Sequence, residues 1–127
     1  MYVQYGLYLM DQQRFPEAAA LLGHAASLTP GHYDNAFNAA VAHRQAGQLD
    51  EAEAWYRQTV RMRPMEAGSH LNLGALLHLR GKLREAEQEY LQAWTLRPGD
   101  ESTKINIQRL HNVMRKKNLT ISNLVDL

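Results

Sequence analysis

The residues in this chain best suited to chemistry are its six histidines, His24, His32, His43, His70, His78 and His111. An imidazole holds zinc or moves protons near neutral pH only when further ligands or a carboxylate stand at a workable spacing. None of the six lies in an HExxH arrangement or at ligand spacing from an acidic residue. His43 and His111 fall where aromatic core residues are expected, so they are given structural roles. The carboxylates Glu51 and Glu53, and again Glu85, Glu87 and Glu89, stand at two-residue steps, which on a helix turns neighbouring side chains apart. Mixed with Arg and Gln, they are expected to form a solvated face rather than an acid/base pair. There is no phosphate-binding glycine loop, dinucleotide fingerprint or nucleophile elbow. Cysteine is absent, so no thiol nucleophile, disulfide or thiolate zinc site is available. The expectation is a chain with no catalytic residue, no metal and no cofactor.

Composition narrows the partners. The 127 residues are 45% hydrophobic and 21% charged, with a net charge of +1. That is ordinary for a globular domain and lacks the basic excess of a polyanion binder, so nucleic acid is not expected as a partner. No apolar run approaches the roughly 18 residues that span a bilayer, so this segment is not expected to contact a membrane directly. Its first fifteen residues lack a charged start, an apolar centre and a cleavage site, and are not expected to be a secretory signal.

A period of 34 residues organises these side chains. Pro30, Pro64 and Pro98 obey it, as do Asn38 and Asn72, Gly47 and Gly81, Ala52 and Ala86, and Tyr56 and Tyr90. Each period predicts two helices. In the third, Ala67 to Arg80 gathers Leu71, Leu73, Leu76 and Leu77 around Gly74, and Gly81 ends the helix. Leu83 to Leu96 then repeats apolar residues at three- and four-residue steps, and Pro98 closes it. The second period predicts helices from about Asp34 to Ala46 and from Leu49 to Met62. The first is truncated, with Pro16 in the opening turn of its second helix, where a missing N–H costs little. Gly6, Ala40 and Gly74 share one register, and Ala18, Ala52 and Ala86 another. These small residues let paired helices approach, with Leu22, Tyr56 and Tyr90 filling the space beside them.

This pattern resembles the tetratricopeptide repeat: 34 residues, a small residue in the first helix, Ala and an aromatic in the second, and a terminal Pro. The third period, HLNLGALLHLRGKLREAEQEYLQAWTLRP, matches it closely. The second departs at Ala39, Ala40 and His43, and the first has Gln13 for the turn glycine. The resemblance implies an all-α, right-handed solenoid of three helix pairs over residues 1–98, the first truncated. A capping helix is expected over 99–117, started by Asp100 or Ser102, with Ile105, Ile107, Leu110, Val113 and Met114 as its apolar stripe. Residues 118–127 form a tail without clear period, expected to be disordered or to pack on the cap or on another chain. It holds a glycosylation acceptor triplet at Asn118.

In such repeats the first helices line a concave face. Counting family positions onto this chain gives Val3, Gln4 and Leu7, then Asp34, Phe37, Asn38, Val41 and Arg44, then Leu71, Asn72, Ala75 and His78, and last Ile105, Asn106 and Arg109. Asn38, Asn72 and Asn106 recur at the period, with Gln4 in the matching place. The ladder resembles that of the O-linked N-acetylglucosamine transferase superhelix, which holds extended peptide backbone. An amide both donates and accepts, so it suits a peptide backbone whatever the side chains; the alternative is that these amides bond the loops of the neighbouring repeat. The Lys/Asn clamp of chaperone-binding members is missing, its positions holding Val3, Leu7, Phe37 and Val41. That disfavours a chaperone-tail adaptor.

Residues 33–117 also look like the last repeats of the transmembrane and tetratricopeptide-repeat-containing (TMTC) proteins, which end in a similar NLG…GKL.EAE..Y…L.PGD…N...L run and a basic tail, RKKN here. That resemblance implies the lumenal part of an endoplasmic reticulum membrane protein that transfers mannose to cadherins, presenting substrate while the catalytic part lies elsewhere. The function expected is binding of a protein or extended peptide, a cadherin-type substrate in that context. The alternatives are a cytoplasmic adaptor and an assembly module that forms homo-oligomers.

Overall fold

The computed structural model describes residues 2–122. Among them the chain is all helical: α1 (Tyr2–Asp11), α2 (Phe15–Leu28), α3 (Tyr33–Gln45), α4 (Leu49–Met62), α5 (Ala67–Leu79), α6 (Leu83–Leu96) and α7 (Glu101–Lys116). These are the three helix pairs and final helix that the period requires. The chain divides between Arg63 and Pro64 into two compact units, the first holding α1 to α4 and the second α5 to α7.

The turn inside each pair is built the same way three times. Gln13, Gly47 and Gly81 take positive φ of 58°, 76° and 78°. Their N–H groups donate to Met10, Arg44 and His78, and the next residue's N–H donates to Leu9, His43 and Leu77. This double bond pattern satisfies the last carbonyls of the first helix. The next residue, Arg14, Gln48 or Lys82, then accepts through its own carbonyl from Ala18, Ala52 or Ala86, so one residue finishes one helix and starts the next. In α7 the equivalent of Gly81 is Arg115, and the helix runs on for another turn. The same motif then forms at Asn118, φ 59°, with Asn118 N–H on Arg115 and Leu119 N–H on Met114. Asp100 starts α7: its Oδ2 accepts from the backbone N–H and the hydroxyl of Thr103.

Close approach within the pairs rests on missing bulk. A Cβ on Gly6 would lie 2.6 Å from Leu22, and one on Gly74 would lie 2.6 Å from the Tyr90 ring. In the first unit Leu9, Ala18, Ala19, Leu22 and Ala42 form one buried cluster. In the second, Leu73, Leu76, Leu77, Ala86, Tyr90, Ile107, Leu110 and Met114 are buried. Burial of such apolar surface supplies the main stabilisation, since no single amphipathic helix covers its own apolar face.

Two expectations change. Glu53 and Glu87 are buried rather than solvated. Glu53 accepts from Arg57, and Glu87 from Arg84, His111 and the Ser122 N–H; in the second unit α7 and the start of the tail pack over Glu87. The start of the tail returns onto the second unit: Arg84 donates to the Thr120 carbonyl, and Ser122 reaches Glu87. The remaining tail residues, 123–127, lie outside the described residues.

Candidate peptide-binding face

The singled-out residues fall on the first helices of both units. In the first unit Gln4 is exposed on α1, and α3 carries Phe37 and Asn38, half-buried, and Arg44, exposed. Phe37 stacks on Tyr33 at 6.3 Å and meets Tyr56 edge-on at 6.4 Å. Arg63 lies over the Tyr33 ring at 3.9 Å, the geometry of a cation–π contact. Burial pushes the Tyr56 phenol above its usual range, opposed by a hydrogen bond and charge from Arg44. The structure therefore brings Phe37 and Arg44 together through Tyr56. It also adds Tyr33 and Arg63, which repeat positions did not reveal. Tyr33 stands four residues before Phe37, the spacing of helical neighbours, and that was the available signal.

In the second unit Leu71, Asn72 and His78 on α5 and Asn106 on α7 are half-buried, and Arg109 is exposed. Desolvation lowers the His78 imidazole from its usual range, which favours the neutral ring at neutral pH. The side-chain amides of Asn38, Asn72 and Asn106 have no hydrogen-bond partner among the described residues. Asn118 is exposed and serves as the left-handed cap of α7.

Four of the other histidines are held structurally. His70 sits between the Pro64 carbonyl at 2.6 Å and Glu89 at 2.9 Å. His43 bonds Gln48 at 2.7 Å, and His32 Nδ1 accepts from Asn35 N–H at the start of α3. His111 pairs with Glu87 at 2.8 Å. No three of His, Asp and Glu gather as a metal site would require among the described residues. None of the described helices is long and apolar enough to cross a membrane.

Helix pairs with a repeated three-residue turn, and first helices carrying free amides beside aromatic and aliphatic groups, define a repeat protein of the interaction class. Family models described as tetratricopeptide repeat match residues 9–70 and 56–101, and the chain belongs to the tetratricopeptide-repeat family. No curated protein matches its sequence. Among solved structures it is similar to the Sgt2 tetratricopeptide domain from Aspergillus fumigatus, at 18% identity over 98% of this chain and 86% of that one, TM-score 0.79. It is similar to the first such domain of Spaghetti (RPAP3) bound to the HSP90 peptide SRMEEVD, at 18% identity over 90% of each chain, TM-score 0.79. The second domain of human RPAP3, in complex with the HSP70 peptide SGPTIEEVD, shares 17% identity over 87% of this chain and 92% of that one, TM-score 0.77. At these identities the likeness is one of fold.

Proposed function

We propose that this chain is a non-catalytic module that holds extended peptide on its first helices. The observation that carries this reading is the free amide at one register, Asn38 in the first unit and Asn72 and Asn106 in the second. A half-buried amide without an internal partner is satisfied by water in the free protein and by a peptide backbone in the complex. The aromatic and aliphatic residues beside these amides, Phe37 and Leu71, supply apolar contact. Binding of peptides by Spaghetti and human RPAP3 supports the class of ligand. Because the carboxylate-clamp positions here hold Val3, Leu7, Phe37 and Val41, the ligand is recognised along its backbone and not by an acidic C-terminus.

The resemblance of residues 33–117 to TMTC repeats supports a finer assignment. The parent is an endoplasmic reticulum O-mannosyltransferase, and this segment presents a cadherin-type substrate in the lumen. A cytoplasmic adaptor is the second reading, supported by the chaperone peptides in the two solved relatives. Calorimetry with two peptides separates them: an extended Ser/Thr-rich cadherin segment, and SRMEEVD. The first reading expects the cadherin segment to bind, and Asn72→Ala with Asn106→Ala to weaken it by at least about fivefold without lowering the melting temperature. Two lost net hydrogen bonds at about 0.5–1.5 kcal/mol each give that factor. Tight binding of SRMEEVD alone would overturn the substrate reading in favour of the adaptor.

A further inference from the structure

The second unit closes a gap that the first leaves open. By the period, Pro64, His70 and Glu89 correspond to Pro30, Ala36 and Trp55. In the second unit the buried His70 ring spans from the turn before α5 to α6. Its Nε2 donates to the Pro64 carbonyl, and its Nδ1 meets Glu89. In the first unit Ala36 ends at its Cβ and spans nothing. The corresponding place, between the turn before α3 and α4, holds a cavity of about 330 Å³, within the range of small-molecule sites. Trp55, Met62 and Ala36 form its apolar side, and Gly31, His32 and Gln58 its polar side.

The two turns also differ in polarity. Gly31 takes a φ of 83°, and the His32 N–H donates to the Thr29 carbonyl at 3.1 Å. With proline before it, this is a type II turn. Met65, at the place of Gly31, keeps a negative φ. That turns the central peptide over, so the first unit offers the Gly31 N–H where the second offers the Pro64 carbonyl. Among the described residues, neither that N–H, nor the Trp55 indole, nor the Gln58 amide has a hydrogen-bond partner. His32 Nδ1 accepts from the Asn35 N–H at 3.2 Å, which leaves the imidazole hydrogen on Nε2. The hydroxyls of Ser27 and Thr29 already donate to the Gly23 and Ala25 carbonyls. What remains for a ligand is a set of N–H donors beside a large aromatic ring.

We infer that this cavity binds a small planar aromatic carboxylate. The ring packs against Trp55 and Met62. The carboxylate accepts from the Gly31 N–H and His32 Nε2, in hydrogen bonds strengthened by its charge. No acidic side chain lines the cavity among the described residues, so nothing in its wall repels an anion. A flat ring is what fills the equivalent gap in the second unit, and the overturned peptide requires an acceptor at its edge in place of a donor. Asn38 does not line this cavity, so the site stands apart from the proposed peptide face.

The test titrates the full chain with benzoate, followed by NMR. Acetate, a carboxylate without a ring, and benzylamine, a ring without an acceptor, are the comparison probes. The expected result is saturable binding of benzoate at about millimolar, as suits a single-ring fragment, with shifts at the Gly31 amide and the Trp55 indole N–H. Acetate and benzylamine should each bind at least tenfold more weakly. Ala36→His with Trp55→Glu writes the second unit's pair into the first and should abolish binding. Trp55→Leu keeps an apolar side chain at a half-buried position and should weaken benzoate at least tenfold; it serves if the double variant does not fold. Absence of saturable binding overturns the inference. Equal binding of benzylamine would make the cavity merely apolar, and equal binding of acetate would make it an anion site without a ring; either overturns the aromatic acid. Benzoate binding that survives Trp55→Leu unchanged lies elsewhere and overturns the site.

Discussion

His111 Nε2 lies 2.8 Å from Glu87 Oε2, both side chains buried, and the same oxygen accepts the Ser122 N–H at 2.9 Å. A carboxylate only accepts, so Nε2 carries the hydrogen. This one group joins α6, α7 and the returning tail. The period turns it into an experiment, because the equivalents of His111 and Glu87 elsewhere include Leu77 and Ala19. His111→Leu should cost about 1.5–3 kcal/mol, the loss of a hydrogen bond to a buried charged group. Adding Glu87→Ala should recover at least half of it, since removing both partners is milder than orphaning one. Chemical denaturation gives the energies. Faster amide exchange at Ser122 in the double variant, which removes its Glu87 acceptor, would show that the tail is released.

Two glycines on α5 should respond in opposite directions. Gly74→Ala places a methyl 2.6 Å from the Tyr90 ring, which is buried and cannot swing aside. Overpacking of this kind costs roughly 1–3 kcal/mol. Gly68 has nothing within 4 Å of an added Cβ, so Gly68→Ala should stabilise by about 0.5 kcal/mol through lower backbone entropy. Melting both variants beside the parent checks the sign of each.

Gln13 holds a left-handed φ of 58° where its counterparts are glycine. A side chain in that region is strained by about 1–2 kcal/mol. Allowing for the entropy of glycine in the unfolded chain, Gln13→Gly should stabilise by about 0.5–1 kcal/mol. Gly81→Gln should destabilise by a similar amount. Equal midpoints in urea for Gln13→Gly and parent would contradict the turn assignment.

Asp100 is held below the usual carboxylate range, first by the Thr103 backbone N–H and then by the Thr103 hydroxyl. A depressed carboxylate contributes stability that is fully present above its unfolded pKa and is lost as pH falls through the folded value. The parent should therefore exceed Asp100→Ala in stability at neutral pH, and the gap should close below the ordinary carboxylate range. A gap of constant size from neutral to strongly acidic pH would exclude the ionised cap.

The sequence by itself determined the helices and their pairing. Proline and glycine at a fixed period impose dihedral limits that act locally, and Gly6, Gly74 and Ala86 mark close contacts because they lack bulk. Even the longer α7 is legible, since Arg115 stands where a turn glycine would end the helix. Tertiary structure alone decided the fate of the polar residues. Glu85 and Glu87 stand two residues apart on α6, yet Glu85 is exposed and Glu87 is buried, because His111 of α7 and the Ser122 N–H of the tail pack on Glu87. Tyr5 and Ile107 occupy one register, yet Tyr5 is exposed and Ile107 is buried, the second because α7 packs on the α5–α6 pair. Asn38, Asn72 and Asn106 were visible as a ladder, but whether an amide spends its hydrogen bonds inside the protein depends on what the fold brings within 3.5 Å of it, which no local rule contains.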